Sequence, residues 1–357
     1  MTRARVNPEV SRRALLATMA TASMAAVSIA PGLSSTAVIA QPATAADPLP
    51  SWTDGAAKRA IVDFVRTTTD TAHPSYVPPA ERIATFDQDG TLWVEQPLYT
   101  QVVYCLERVP AVVKAKPELA KLEPFRTVLS GDRAAMAKLS LPDLHKILAA
   151  TLTGMSVDDF KAEATRWMEM ARHPRWNRPY TDLAYQPMLE VLKYLRDNGY
   201  KTFIVTGGGQ DFVRTYAERL YGIPPEQVVG TAGGTKFGYD KAGKPFLTRE
   251  PRILLNDNNA GKVEGIQLMI GRRPVVAFGN STGDREMLEY TKAGGGARLS
   301  LIVLHDDAGR EYAYGPAKGL PDSKVGTFPQ TLLDAATRQG WVVISMKDDW
   351  RRVFAFD

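Results

Sequence analysis

Cysteine is nearly absent: Cys105 is the single one in 357 residues. No disulfide can form within the chain, so its stability must come from a buried apolar core. A lone cysteine without a matched histidine motif reads as a small buried apolar residue rather than a nucleophile. Histidine is scarce as well. His73, His145, His173 and His305 form no recognisable catalytic arrangement, which argues against histidine-centred catalysis and assigns them structural or surface roles. No run reaches the roughly 20 strongly apolar residues that a membrane-spanning helix needs. The nearest stretch, ending at about Ala30, is interrupted by Thr, Ser and then Pro31. Charge of one sign is also missing. The net charge is +5, but the first forty residues hold four arginines against Glu9, so +3 of it sits there and +2 remains. That balance leaves no electrostatic footprint for nucleic acid. There is no internal repeat, and no low-complexity tract beyond the amino-terminal segment.

What is present first is a leader. Ser11-Arg12-Arg13-Ala14-Leu15-Leu16 opens a stretch rich in Ala, Thr, Ser and Val, and small-residue cleavage candidates follow at Val38-Ile39-Ala40 and Ala43-Thr44-Ala45. The layout is that of a signal peptide over residues 1–45. It resembles a twin-arginine export signal, with a plain secretory signal as the alternative. The expectation is an exported protein, periplasmic or extracellular, that meets the export machinery through this segment and keeps no stable membrane anchor.

Beyond it, 44% hydrophobic and 23% charged residues describe an ordinary globular chain. Short apolar runs alternate with amphipathic segments. Expected strands are Arg82–Phe86, 200–205, 274–278, 299–304 and 341–345. Short strands are expected within 228–256 around a hairpin turn at 240–244. Expected helices include Ala56–Thr67, Pro187–Asn198, Asp211–Leu220, Gly261–Ile270, Pro329–Arg338 and a short terminal one at Asp349–Val353. Such alternation predicts an α/β protein with a Rossmann-like, doubly wound and mostly parallel sheet. From Glu95 to Tyr185 the pattern is helical without convincing strands, with segments at Leu98–Leu106, Pro142–Thr153 and Val157–Met170, the last N-capped by Ser156. Ninety residues exceed what a crossover needs. The chain therefore divides into a core of 46–94 and 186–357 and an inserted helical cap of 95–185.

The most informative stretch is Asp87-Gln88-Asp89-Gly90-Thr91, directly after the apolar Ile83–Phe86. In open α/β sheets the chemistry lies beyond the carboxyl ends of the strands. Two acids there can divide labour, one ionised as nucleophile or metal ligand, the other carrying a proton. A solvated turn is the plainer reading of the pair alone. Three further signals follow in order: Thr206-Gly207-Gly208-Gly209 after the second buried strand, Lys262 at a helix start, and Gly279-Asn280-Ser281-Thr282-Gly283-Asp284 after the third.

Taken together, Asp87-x-Asp89-Gly-Thr, Thr206-Gly-Gly, Lys262 and Gly279-Asn280-x-x-x-Asp284 resemble the four motifs of the haloacid dehalogenase superfamily. The layout is most similar to its phosphoserine-phosphatase-like branch, across about residues 80–345. The resemblance implies a Mg²⁺-dependent phosphomonoester hydrolase acting through an aspartyl-phosphate on a small phosphorylated metabolite. Asp87 would be the nucleophile and Asp89 the general acid, then base. Thr206, Gly207, Gly208 and Lys262 would hold the phosphoryl group, because hydroxyl, backbone N–H and ammonium groups neutralise its oxygens. The metal would lie with Asp87, Asp89, Asn280 and Asp284. Dehalogenases of this fold lack the second acid of the first motif, so Asp89 favours phosphatase over dehalogenase.

One departure stands out. The family commonly has Asp where this chain has Asn280, which offers an amide oxygen without charge. Asp284 then becomes the acid expected to hold the ion directly or through water. The same departure keeps open a weakened, phospho-ligand-binding homologue. A phosphotransferase using the same intermediate is the other alternative. In the cap, Arg166, Arg172, His173, Arg175 and Arg178 interleave with Trp167, Trp176 and Tyr180. Contact with an anionic or aromatic part of a substrate competes there with a solvated helix face. Glu95 and Gln96 are expected at the cap entrance. In phosphoserine-specific relatives a Glu near here recognises the amino group, but the register places Gln96 at that position.

Overall fold

The computed structural model describes residues 46–136 and 138–357. The leader and its export signal lie outside the described residues. The segment Asp47–Asp357 forms one compact unit.

Helix α1 (Ala56–Thr69) comes first, burying Ala57, Ile61 and Val65 at helical spacing. Strand β1 (Ile83–Phe86) is buried at all four positions, as a strand covered on both faces must be. Between β1 and the next strand lie only helices: α2 (Thr100–Ala115), the short α3 (Phe125–Leu129) and α4 (Arg133–Met136), α5 (Leu141–Leu152) and α6 (Val157–Met170). Ser140 and Asp143 close a capping box on α5, and Ser156 caps α6 by accepting from Asp159 N. Then follow α7 (Gln186–Asp197), β2 (Lys201–Gly209), α8 (Gln210–Val213), α9 (Ala217–Tyr221), β3 (Val228–Tyr239), β4 (Pro245–Leu255) and α10 (Ala260–Gly265). The chain ends with β5 (Val276–Gly279), α11 (Arg285–Lys292), β6 (Leu299–Leu304), α12 (Gln330–Gln339), β7 (Val342–Ser345) and α13 (Met346–Asp349).

The seven strands run in the order β4-β3-β2-β1-β5-β6-β7. All neighbours are parallel except β3 and β4. The protein is thus a doubly wound α/β fold. Chain order reverses at β1, which pairs with β2 on one side and β5 on the other. A sheet built this way opens a crevice beyond the carboxyl end of that strand. Phe86 and Phe278 stack there with centroids 4.6 Å apart, filling the space beneath the crevice.

Four expectations change. The residues 228–256 are two long strands rather than several short ones, joined by a turn in which Asp240 Oδ1 accepts from Ala242 N and Lys244 N. The segment 211–220 is broken into α8 and α9, where Thr215 turns its hydroxyl back onto Phe212 O. The terminal helix lies earlier, at Met346–Asp349, because Ser345 caps it by accepting from Asp348 N. Helix α2 extends well beyond Leu106, carrying Pro110 inside it.

The β3–β4 arm reaches the helical insert. Arg249 of β4 donates to Leu152 O, pairs with Asp211 and lies over the Phe160 ring at 4.1 Å. Aromatic rings knit the helical insert to the rest, with Trp167 and Tyr104 both against Phe212. Among the described residues no helix is long and apolar enough to cross a membrane.

Candidate active site

Asp87 continues the β1 ladder, its N–H donating to Phe278 O at 2.9 Å. The chain then turns sharply, Leu92 N donating to Gln88 O. Gly90 sits in the turn at φ +78°, and a Cβ there would lie 2.0 Å from Asn280 Nδ2. Only glycine satisfies both constraints. His305 donates Nε2–H to the Gly90 carbonyl at 2.8 Å and turns Nδ1 toward Glu311. The turn that carries both acids is therefore anchored from below.

Lys262 brings the distant segments together. Its Nζ lies 2.5 Å from Asp87 Oδ1, 2.6 Å from Asp284 Oδ1 and 2.8 Å from Val205 O. Lys262 and Asp284 are each 1% exposed, so this ion pair works in a low dielectric. Burial and the like charge of Asp284 push the Asp87 carboxyl up, against the pull of Lys262. Burial alone would lower Lys262, yet Asp284 and Asp87 together raise it, so the ammonium stays charged. Asp89 is pushed up to about 6 by burial, with the Trp93 indole N–H opposing at 2.7 Å. A carboxyl poised there can exchange a proton near neutrality.

Thr206 Oγ1 accepts from Gly208 N at 3.0 Å, and Gly209 N donates to Gln101 Oε1 at 2.7 Å. The glycine turn after β2 thus directs its amides partly at its own threonine and partly at the cap. These residues line a cleft of about 230 Å³. Its inner wall is Asp87, Asp89, Thr206, Gly207, Gly208, Lys262 and Asp284; its outer wall includes Tyr99, Gln101, Val102 and Leu148 from the cap.

Asp284 has protein partners at both oxygens. Its Oδ1 takes Lys262, and its Oδ2 accepts from Asn280 N at 2.9 Å and Ser281 N at 3.0 Å. Both oxygens hold protein groups, so Asp284 anchors the lysine and the turn rather than offering an open ligand. Two other oxygens are held less firmly. Asp87 Oδ2 and Asn280 Oδ1 face one hydroxyl, Thr91 Oγ1, at 3.3 and 3.4 Å, contacts too long to hold either firmly. Among the described residues no group of three or more His, Cys, Asp or Glu forms a ligand set. A carboxylate oxygen and an amide oxygen turned to one side make a hard donor pair that fits Mg²⁺.

Glu95, expected at the cap entrance, lines the cleft, and several further site residues escaped the sequence reading. Glu95 is buried, and its Oε1 accepts from Asn280 Nδ2 at 2.6 Å and from the Tyr314 hydroxyl at 2.8 Å. Burial pushes its carboxyl up, the Tyr314 hydrogen bond opposes, and Asp89 and Asp87 add to the rise. Asn258 lines the cleft, and a Cβ on Gly283 would meet its Oδ1 at 2.6 Å. Asp257 is fully buried with no partner for either oxygen, and burial raises it to about 7. Tyr314 and Gln101 had no signal in the sequence, because only the fold brings them near Asp87. Gln96 turns away, donating to Ser323 Oγ and Val325 O. The cap arginines also point elsewhere. Arg175 donates to the carbonyls of Ala308, Gly309 and Glu311, and Arg178 lies over Phe356; neither lines the cleft, nor do Arg166 and Arg172.

The family model for haloacid dehalogenase-like hydrolases matches residues 84–289, more than half of the chain. The chain belongs to that family. Among solved structures it is similar to a protein of unknown function from Bordetella pertussis Tohama I, with 18% identity over 74% of this chain and 98% of that one, at a TM-score of 0.45. It is also similar to a phosphoserine phosphohydrolase-like protein from Francisella tularensis, with 18% identity, 63% and 88% coverage and a TM-score of 0.33. A substrate-bound phosphoserine phosphatase matches at 17% identity, 62% and 86% coverage and a TM-score of 0.31. No curated protein matches.

Proposed function

We propose that the protein is a metal-dependent phosphatase of small phosphomonoesters, working through an aspartyl-phosphate. The observation that carries this reading is the Lys262 ammonium between Asp87 and Asp284, at 2.5 and 2.6 Å, with Asp89 and Thr206 on the same wall. A buried lysine so placed opposes the rise that burial imposes on Asp87, favouring its ionised form, and offers positive charge to phosphoryl oxygens.

A carboxylate oxygen of Asp87 attacks phosphorus while the bond to the leaving alcohol breaks. Asp89 gives its proton to that alkoxide. Asp89 then takes a proton from a water, whose oxygen attacks phosphorus, and the bond to Asp87 breaks to release inorganic phosphate. Thr206 and the glycine turn hold the phosphoryl oxygens. Asp87, Asn280 and the Asp89 main chain would hold Mg²⁺, which when bound neutralises charge on the phosphoryl group.

The leaving group occupies the outer wall. Tyr99, Gln101, Val102 and Leu148 carry no charge, and among the described residues Lys262 is the one cationic residue lining the cleft. This supports alcohols without a second anionic group, of a size suited to about 230 Å³. A panel of phosphomonoesters with Mg²⁺ tests the reading. Hydrolysis of neutral or amino-alcohol esters is expected to exceed that of bisphosphates. Undiminished turnover in Asp87→Asn would exclude the covalent route. We also propose export through the Arg12-Arg13 leader; replacing both with Lys should leave the protein in the cytoplasmic fraction.

A further inference from the structure

The turn between β4 and α10 is a run of short polar side chains, Asn256-Asp257-Asn258-Asn259. Its backbone is held tightly. Asn259 has φ +52° and ψ −125°, a conformation that a residue with a Cβ keeps only where its surroundings impose it. Gly261 folds so close to the turn that a Cβ there would lie 1.8 Å from Asn256 O. Two bonds tie the turn to the loop after β5: Asn259 N donates to Gly283 O at 3.1 Å, and Asn259 Nδ2 to Thr282 O at 3.3 Å. The side chain that these constraints deliver to the cleft is Asn258. Its carboxamide lies between two glycine loops. A Cβ on Gly207 would stand 3.4 Å from Asn258 Oδ1, and one on Gly283 only 2.6 Å from it. A side chain at 283 would therefore displace the amide. Asn259 spends its own amide on the Thr282 carbonyl, whereas among the described residues the Asn258 carboxamide has no hydrogen-bond partner. Asn258 is also exposed at the cleft surface, so its amide is free to meet a ligand.

We propose that Asn258 binds the substrate, its Nδ2 donating to a phosphoryl oxygen from the core side of the cleft. Phosphoryl oxygens only accept, so the amide meets them through its NH₂ end. Its position selects the phosphoryl group over the leaving alcohol. Asn258 lies alongside Gly207 of the phosphate-holding turn and just ahead of Lys262 in the chain, whereas the wall assigned to the alcohol comes from the cap. The inference rests on the phosphatase reading above for the place of the phosphoryl group. It adds a neutral donor to a cradle otherwise made of Thr206, backbone amides and one lysine.

The test measures inorganic phosphate binding to the full chain with Mg²⁺ by calorimetry, and kcat/KM for a set of alkyl and aryl phosphates. Asn258→Ala should weaken phosphate binding by about 10- to 100-fold, the size of effect expected for one hydrogen bond to a charged group. Asn258→Asp fills nearly the same space but sets a negative charge against phosphate, and it should bind at least as weakly as Asn258→Ala. In both variants kcat/KM should fall by one common factor for every ester, because the phosphoryl group is shared, and the ranking of leaving groups should stay as it is. A merely structural Asn258 would leave Asn258→Asp at wild-type phosphate affinity, and that result overturns the proposal. So does an altered ranking of leaving groups with phosphate affinity unmoved, which would place Asn258 against the alcohol. Should Asn258→Ala fail to fold, Asn258→Asp carries the test. The two readings fail separately. A wild type that binds phosphate but hydrolyses no ester removes the phosphatase reading, and calorimetry on the variants still decides Asn258. A wild type that binds no phosphate removes both.

Discussion

The two walls of the cleft follow different rules. The inner wall comes from the ends of β1 and β2, the start of α10 and the turn after β5; its Asp87, Thr206, Lys262 and Asp284 are charged or polar yet almost fully buried. The outer wall comes from the cap and its approach, and its Tyr99, Gln101, Val102 and Leu148 are uncharged and partly exposed. Buried charges persist only where partners and hydrogen bonds surround them. The inner wall is thus an over-determined network in which each residue constrains the next, whereas each outer-wall residue answers mainly to whatever it covers. On the proposed reading chemistry and selection lie on separate parts of the chain, and the two walls should respond to mutation on different scales.

The inner wall should give the largest effects. Asp87→Asn removes the proposed nucleophile, and steady-state turnover of an aryl phosphate should fall by at least ~10³-fold. Retained activity would break the distinction between walls at its strongest point. Lys262→Met should lower turnover by about 10²- to 10³-fold, as loss of a charge-stabilising donor does. It should also destabilise the fold by about 3–5 kcal/mol in urea titrations, since Asp87 and Asp284 are left buried without their shared cation. Asp89→Asn should reduce turnover by about 10²- to 10⁴-fold for alkyl esters. The loss should be smaller for an aryl phosphate, whose leaving group needs no proton; an equal loss for both esters would remove Asp89 as the acid.

The outer wall should give smaller and substrate-dependent changes. Gln101→Ala and Leu148→Ala should alter kcat/KM by about tenfold or less and change the ranking of leaving groups, because they form a pocket rather than the reacting centre. A uniform collapse across all substrates would show that the cap belongs to the catalytic network. The gentlest probe is Asp257, behind the inner wall. Its carboxyl rises from the ordinary 3.8 to about 7 in the folded state, so the folded chain binds more protons than the unfolded one between those values. Stability from this group is therefore present at low pH and is lost as pH rises through about 7. Asp257→Asn should gain melting temperature over wild type as pH goes from 5 to 8. A difference that stays constant across that range would disprove the linkage.

Much of this was legible in one dimension, for reasons that particular residues make plain. Ile83–Phe86 is apolar at four consecutive positions because both faces of β1 are covered, and that run announced a buried strand before the acids were considered. Asp87 and Asp89, Thr206 and Gly207, and Asn280 and Asp284 each follow such a strand, so their place at the crevice follows from strand order alone. The helical insert was equally readable, since its apolar positions recur at helical spacing and its caps at Ser140 and Ser156 are local.

Sequence by itself therefore determined the doubly wound class, because period, caps and strand-end motifs are local properties. Tertiary structure alone decided which oxygens are open and which are taken. Asp284 was expected to hold an ion directly or through water, and folding gives both its oxygens to Lys262 and the Asn280–Ser281 amides as well. Glu95, expected at the cap entrance, does line the cleft, and folding also sets it against Asn280 and Tyr314. Hydrogen bonds between residues 185 and 219 positions apart follow from close approach in three dimensions, and no periodicity encodes it.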